Sequence, residues 1–150
     1  MEHATATDLQ AWESYQRMRQ RLSARIAREL ATTGLSEADY EILGALVRED
    51  RPVRPTALGC ELDWEKSRLS HQLRRMEQRG LLTRESCADD GRGFEITITT
   101  AGRDAHATAK ETYDAAVCRY VTQALSSEQL QQLRDISEAL LPHLEEPHHA

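Results

Sequence analysis

The apolar positions of this chain fall into helical and extended periods separated by short breaks. From about Asp8 to Thr33, Leu9, Trp12, Met18, Leu22, Ile26 and Leu30 recur mostly at steps of three and four, the spacing of one helix face, and Gly34 stands where a helix closes on a left-handed residue. The run LSEADYEILGALVRE then offers Ser36 as N-cap, Asp39 three residues on, and an apolar face of Tyr40, Leu43, Leu46 and Val47, before EDRPVRP breaks it. Pro55 suits the first position of a short third helix, PTALGCEL, with Leu58 and Leu62 inward. Past DWE, the segment EKSRLSHQLRRMEQRG predicts a fourth helix that buries Leu69, Leu73 and Met76 and ends at Gly80. At about 100° per residue, Ser67, His71, Arg74, Arg75 and Gln78 fall on its opposite side. LLTRES and FEITIT flank Gly91-Arg92-Gly93 as the two strands of a hairpin, which is marginal alone and must lean on the helices. A second long helix is expected from Thr100 to about Leu125. The last is opened by Ser126 and Gln129 as a capping box and striped by Leu130, Leu133, Ile136, Leu140 and Leu144; the tail EEPHHA is expected to fray.

These elements predict a mainly α protein with a small β-hairpin wing, forming one domain over residues 1–150. In order, the second helix, short third helix, tight turn, basic fourth helix and glycine-tipped hairpin make a winged helix-turn-helix at about residues 36–99. Residues 8–33 and 100–145 then form long helices whose apolar stripes a small central module cannot cover. Pairing with a second copy resolves this, so a two-fold dimer is the expectation from burial alone.

Charge changes the picture where it is uneven. The net charge of −6 argues against a polyanionic partner, yet from Lys66 to Arg92 seven basic residues face four acidic ones, a local +3 that leaves −9 on the remainder. A basic island on an acidic body is what one dedicated anion-binding face requires, although a charged solvated helix has the same composition. Aromatic residues, at 5%, are too few for a stacking surface for single strands. No stretch approaches the roughly 18 to 20 apolar residues of a membrane span, and MEHATATDLQAW lacks a basic segment followed by an apolar one, so a cytoplasmic protein without a membrane partner is expected. Cys60, Cys87 and Cys118 are far apart and form no Cys-x-x-Cys, which points to reduced thiols and no metal site. Cys60 and Cys118 read as small packed residues.

The candidate chemistry is recognition of duplex DNA. A helix fits the major groove, about 12 Å wide, where Lys66, Ser67, Arg68, Ser70, His71, Arg74 and Arg75 can meet base edges and phosphates. Of Arg68, Arg74 and Arg75 at least one should touch a base and the others phosphate; spacing does not say which. Arg92, held between two glycines, suits the narrow minor groove, whose concentrated negative potential accepts a lone arginine. No catalytic residues are assigned: Ser70 and His71 diverge by about 100° as helical neighbours, and nothing positions a third group. His143, His148 and His149 read as a polar tail. Trp12 and Tyr15 are candidates to line an effector pocket, with core or dimer packing as the equal alternative.

The run from LSEADYEILGALV through PTALGCELDWEKSRLSHQLRRMEQRGLLTRE to DDGRGFEITITTAGR resembles the MarR family of winged-helix transcription regulators over most of the chain. Its most specific parts are the RMEQRGLLTRE junction and the wing pattern of Asp90, Arg92 and Thr99, with Gly102 and Arg103 opening the next helix. Arg54 stands where the family often has a serine or threonine cap, Gly59 replaces a usual alanine, and Trp64 fills the apolar position of the turn. The resemblance implies a homodimer with interlocked terminal helices on a pseudo-palindromic operator. It implies too that Arg92 enters the minor groove, braced by Asp90, and that the protein is usually a repressor relieved by a small molecule. Such an effector, a small aromatic or lipophilic ligand, is the one component expected besides protein and DNA; no cofactor is. Oxidant-sensing members carry a cysteine in the first helix, and this chain has none there. The alternatives are a DNA-binding regulator with no effector, in an architectural or activator role, and a helical dimer acting through protein contacts.

Overall fold

The computed structural model describes residues 2–87 and 93–145. The chain divides into two compact units, Met1–Tyr113 and Asp114–Ala150, with the boundary inside a helix.

In the first unit, α1 (Ala6–Ala31) starts two residues before the expected Asp8 because Thr5 and Asp8 form a reciprocal capping box. Only Ile26 and Leu30 of α1 are buried; Leu9, Trp12, Tyr15 and Met18 are exposed by 44–53%. Gly34 follows at φ +86°, where a β-carbon would be strained. The expected capping box opens α2 (Glu37–Glu49): the Ser36 hydroxyl accepts from the Asp39 N–H at 3.1 Å and the Asp39 carboxylate from the Ser36 N–H at 2.9 Å. Ile42, Leu43, Ala45 and Leu46 place α2 in the core.

Pro55 occupies the first turn of α3 (Pro55–Leu62), and Arg54 supplies no side-chain cap. The turn into α4 (Lys66–Gln78) closes through Asp63 at φ +53° and a Trp64 N–H bond to the Gly59 carbonyl at 3.0 Å. A β-carbon on Gly59 would lie 3.4 Å from Leu69, an ordinary contact, so space does not force glycine there. The hairpin of β1 (Leu82–Ser86) and β2 (Phe94–Ile98) is antiparallel, in a register running from Leu82 opposite Ile98 to Ser86 opposite Phe94. Val53, expected only in a turn, adds one rung to the far side of β2, exchanging 2.9 and 2.8 Å bonds with Ile96. Both edges of β2 are therefore paired at Ile96, opposite Arg84 and Val53, and its side chain is fully buried.

Thr99 closes the base of the hairpin and starts α5 (Thr100–Val117). Its hydroxyl donates to the Gly80 carbonyl at 2.6 Å and accepts from the Gly102 N–H at 3.0 Å. Gly102 has no room for a side chain, since a β-carbon would collide with the Leu81 carbonyl oxygen and crowd Ile98. Arg103 then pairs with Asp50, the left-handed residue ending α2, at 2.6 Å.

In the second unit the helix expected to run to about Leu125 changes character: α5 gives way to a π-helical turn over Cys118–Thr122, closed by Gln123 N–H to the Cys118 carbonyl at 2.9 Å. The capping box of Ser126 and Gln129 opens α6 (Ser127–Leu144) as expected. Its stripe lies open: Leu133, Ile136, Leu140, Leu141 and Leu144 are 40–68% exposed. No helix among the described residues is long and apolar enough to cross a membrane.

Candidate nucleic-acid interface

Helix α4 is set by its N-cap and by what it buries. The Glu65 carboxylate accepts from the Ser67 and Arg68 N–H groups at 3.2 and 3.3 Å, and these bonds hold it below the usual carboxylate range. Leu69, Leu73 and Met76 face the core as predicted, and with them goes Gln72, 6% exposed, which the apolar pattern does not mark. Its Nε2 donates to Asp39 Oδ1 at 2.6 Å, and its Oε1 accepts from the Arg75 guanidinium. Asp39, 3% exposed, also accepts from Arg79 at 2.8 Å, and Arg79 donates at 2.7 Å to the Gly34 carbonyl. A buried carboxylate on α2 thus holds α4 at Gln72 and at its C-cap residue Arg79.

Lys66, Ser67, Arg68, Ser70, His71, Arg74 and Arg75 are all exposed on α4. Two different tethers distinguish Arg68 and Arg75 among them. The Arg68 guanidinium lies over the Trp64 ring, 3.8 Å from its centre. Arg75 is held by Gln72. Asp90 and Arg92 lie outside the described residues.

The stalk beneath that tip is braced. Arg84 on β1 makes a two-pronged pair with Glu77 of α4 at 3.0–3.2 Å, which holds the Glu77 carboxyl below its usual range, and the same guanidinium lies 5.2 Å from the Phe94 ring centre. The Cys87 N–H bonds to the Gly93 carbonyl at 3.0 Å, closing the hairpin past its last strand pair. The wing is thereby fixed to the helix that presents the basic face.

A second feature of this unit is a cleft of about 460 Å³ lined by Leu30, Glu37, Tyr40, Glu41, Gly44, Arg48, His106 and Tyr113. Tyr40 stacks on both His106 and Tyr113, with ring centres 5.1 and 4.7 Å apart. Burial and the neighbouring Glu41 raise the Glu37 pKa; burial, Lys110 and Arg48 lower that of His106. Trp12 and Tyr15 are exposed, meet with ring centres 5.5 Å apart and planes tilted by 35°, and do not line this cleft. Sequence periodicity missed it because its walls come from three helices; the only local signal was Tyr40, taken as part of an apolar face.

Cys60 and Cys118 are exposed, correcting their reading as packed residues: both lie on helix faces turned from their unit's interior. Among the described residues no three histidine, cysteine or carboxylate side chains gather as a metal site; His148 and His149 lie outside the described residues.

The sequence pattern of the MarR family matches residues 33–93, the segment from the turn before α2 into the wing. Among solved structures, the chain is similar to AbsC, a MarR family transcriptional regulator from Streptomyces coelicolor, at 31% identity and a TM-score of 0.87, covering 96% of this chain and 98% of that one. It is similar also to Sco3205, a MarR family transcriptional regulator from the same organism solved in complex with DNA, at 28% identity and a TM-score of 0.91 over 100% of this chain and 94% of that one. An organohalide-sensing transcriptional regulator in its 2,4-dichlorophenol-bound form shares the fold at 19% identity and a TM-score of 0.85, over 95% and 83% of the respective chains. No curated protein matches in sequence.

Proposed function

The chain belongs to the MarR family of winged helix-turn-helix transcription regulators, and on that premise we propose that it is a homodimeric repressor that binds a pseudo-palindromic duplex operator and is released by a small molecule. The observation that carries the reading is the exposed face of α4: seven polar and basic side chains on a helix whose rear is locked to the core by Asp39 and Gln72. Rigid presentation matters because base readout is geometric, while phosphate contacts supply affinity and register. The DNA complex of Sco3205 supports a duplex partner. Cytoplasmic residence accords with such a partner.

The dimer rests on the exposed stripes of α1 and α6, whose leucines, isoleucine and tryptophan need cover. The effector rests on the cleft. Stacked Tyr40, His106 and Tyr113 offer flat apolar faces, while Arg48 and the Glu37–Glu41 pair offer polar edges, a lining suited to a small planar aromatic molecule. An occupant wedged between α2 and α5 would act on the helix that carries Asp39, and so on the setting of α4.

Selection of a random duplex library on the purified protein tests this reading, followed by titration of the recovered duplex with and without planar aromatic compounds. A two-fold-symmetric sequence whose binding one compound weakens is the expected result. A library no different from its input would end the operator hypothesis, and a recovered operator indifferent to every compound would leave a regulator without an effector. Sedimentation of the free protein at micromolar concentration should give the dimer mass.

A further inference from the structure

The arginines of α4 are not equivalent, and their tethers separate them. Arg74 and Arg75 lie in the second half of the helix, and Arg75 is bonded to Gln72. Arg68 is the third residue of α4, in the turn that recognition helices point at base edges. Its backbone N–H is fixed by Glu65, and its guanidinium carbon lies over the half-buried Trp64 ring, 3.8 Å from the ring centre. Stacking engages the face of a guanidinium and leaves the N–H groups along its edge pointing outward. That edge matches one base: guanine, which presents O6 and N7 side by side in the major groove to a forked donor.

We propose that Arg68 reads a guanine in each operator half-site and that Trp64 is a positioning residue, holding the fork edge-on before DNA arrives. Arg74 and Arg75 then serve as phosphate anchors. The proposal rests on the reading of the chain as a sequence-specific DNA-binding regulator. Without the indole, the arginine would sample many rotamers and favour the nearest phosphate, which any sequence supplies. With it, the ordering is done before binding.

The test uses the full-length protein and the duplex selected from a random library by wild type, together with the three duplexes that carry another base at the most strongly selected guanine. Arg68→Lys keeps the charge, removes the fork and, on an exposed position, spares the fold. It should lower the preference for that guanine by roughly 5- to 150-fold while the dependence of affinity on salt stays the same. Arg74→Ala should weaken all the duplexes alike and flatten the salt dependence. Trp64→Leu should lose part of the same guanine preference, and Trp64→Phe, which keeps an aromatic face, should restore it. A guanine preference intact in Arg68→Lys overturns the assignment of the base reader, whatever happens at Trp64. A preference intact in Trp64→Leu overturns the positioning role. If wild type selects no sequence at all, the regulator reading itself fails and this assignment falls with it; if wild type selects and Arg68→Lys selects equally well, only the assignment falls.

Discussion

Replacing Asp39 with alanine should destabilise the protein more than any other single loss of a polar side chain described above. The carboxylate is 3% exposed and accepts from Ser36 N–H at 2.9 Å, Gln72 Nε2 at 2.6 Å and Arg79 at 2.8 Å. Losing its half of the capping box costs about 1 kcal/mol. Leaving the buried Gln72 amide without its acceptor costs about 1–3 kcal/mol. The Arg79 pair adds less than about 1 kcal/mol, because that side chain is 45% exposed and water takes over its bonds. The sum is about 2–5 kcal/mol, which for a chain of this size lowers the Tm by roughly 5–20 °C. Thermal unfolding followed by circular dichroism, at one fixed protein concentration because a dimer's Tm depends on it, measures the loss. The double variant with Gln72→Leu should recover part of it by removing the orphaned amide. A decrease of under about 2 °C for Asp39→Ala, with no recovery in the double variant, would refute the reasoning, since it would mean that the network is replaced by water without cost.

Gly102→Ala should cost about 1–3 kcal/mol or more in urea unfolding, because its β-carbon meets the Leu81 backbone, which cannot swing aside as a side chain would; a stability equal to wild type would show that the base of the wing is slack. Glu37 has its pKa raised in the folded state by burial and Glu41, so its contribution to stability is present in acid and lost as pH rises through the raised value; Glu37→Gln should flatten that fall and raise the Tm at pH 7. His106 is shifted the other way, by burial first and then Lys110 and Arg48, so its contribution is present above the ordinary imidazole value and lost as pH falls through the lowered one; His106→Gln should flatten the acid side of the Tm profile, and an unaltered profile would contradict the shift. Arg92→Ala should weaken specific DNA binding by about 1–3 kcal/mol without changing the Tm, and unchanged affinity would show that the wing tip does not reach the groove.

What was legible in the chain was whatever depends on neighbours a turn or two away. Ser36 with Asp39, and Ser126 with Gln129, announce helix starts because both partners of a capping box lie within four residues. The stripe of Leu69, Leu73 and Met76 fixed the buried side of α4, and with it the exposed basic side. What escaped depends on distant partners. Gln72 is polar, and its burial is explained only by Asp39, 33 positions earlier in the chain. Val53 looks like a turn residue until Ile96 arrives to pair with it. The turn at Cys118–Thr122 keeps helical periodicity closely enough that no apolar pattern marks its widening. Trp12 and Tyr15 drew attention as aromatic residues, whereas the cleft is built by Tyr40, His106 and Tyr113, whose separation along the chain hides their stacking.

The most direct test of the central claim, that α4 presents a face for sequence-specific duplex recognition, is a fluorescence-anisotropy titration of wild type against the intergenic DNA flanking its own gene, at 50 and 200 mM salt, with a scrambled duplex as competitor. Two phosphate anchors per protomer, Arg74 and Arg75, make about four in a dimer, so affinity should fall roughly a hundredfold between the two salts, while the scrambled duplex fails to displace the probe at equal concentration. Binding that ignores salt and yields to the scrambled duplex as readily as to the probe itself would contradict the account.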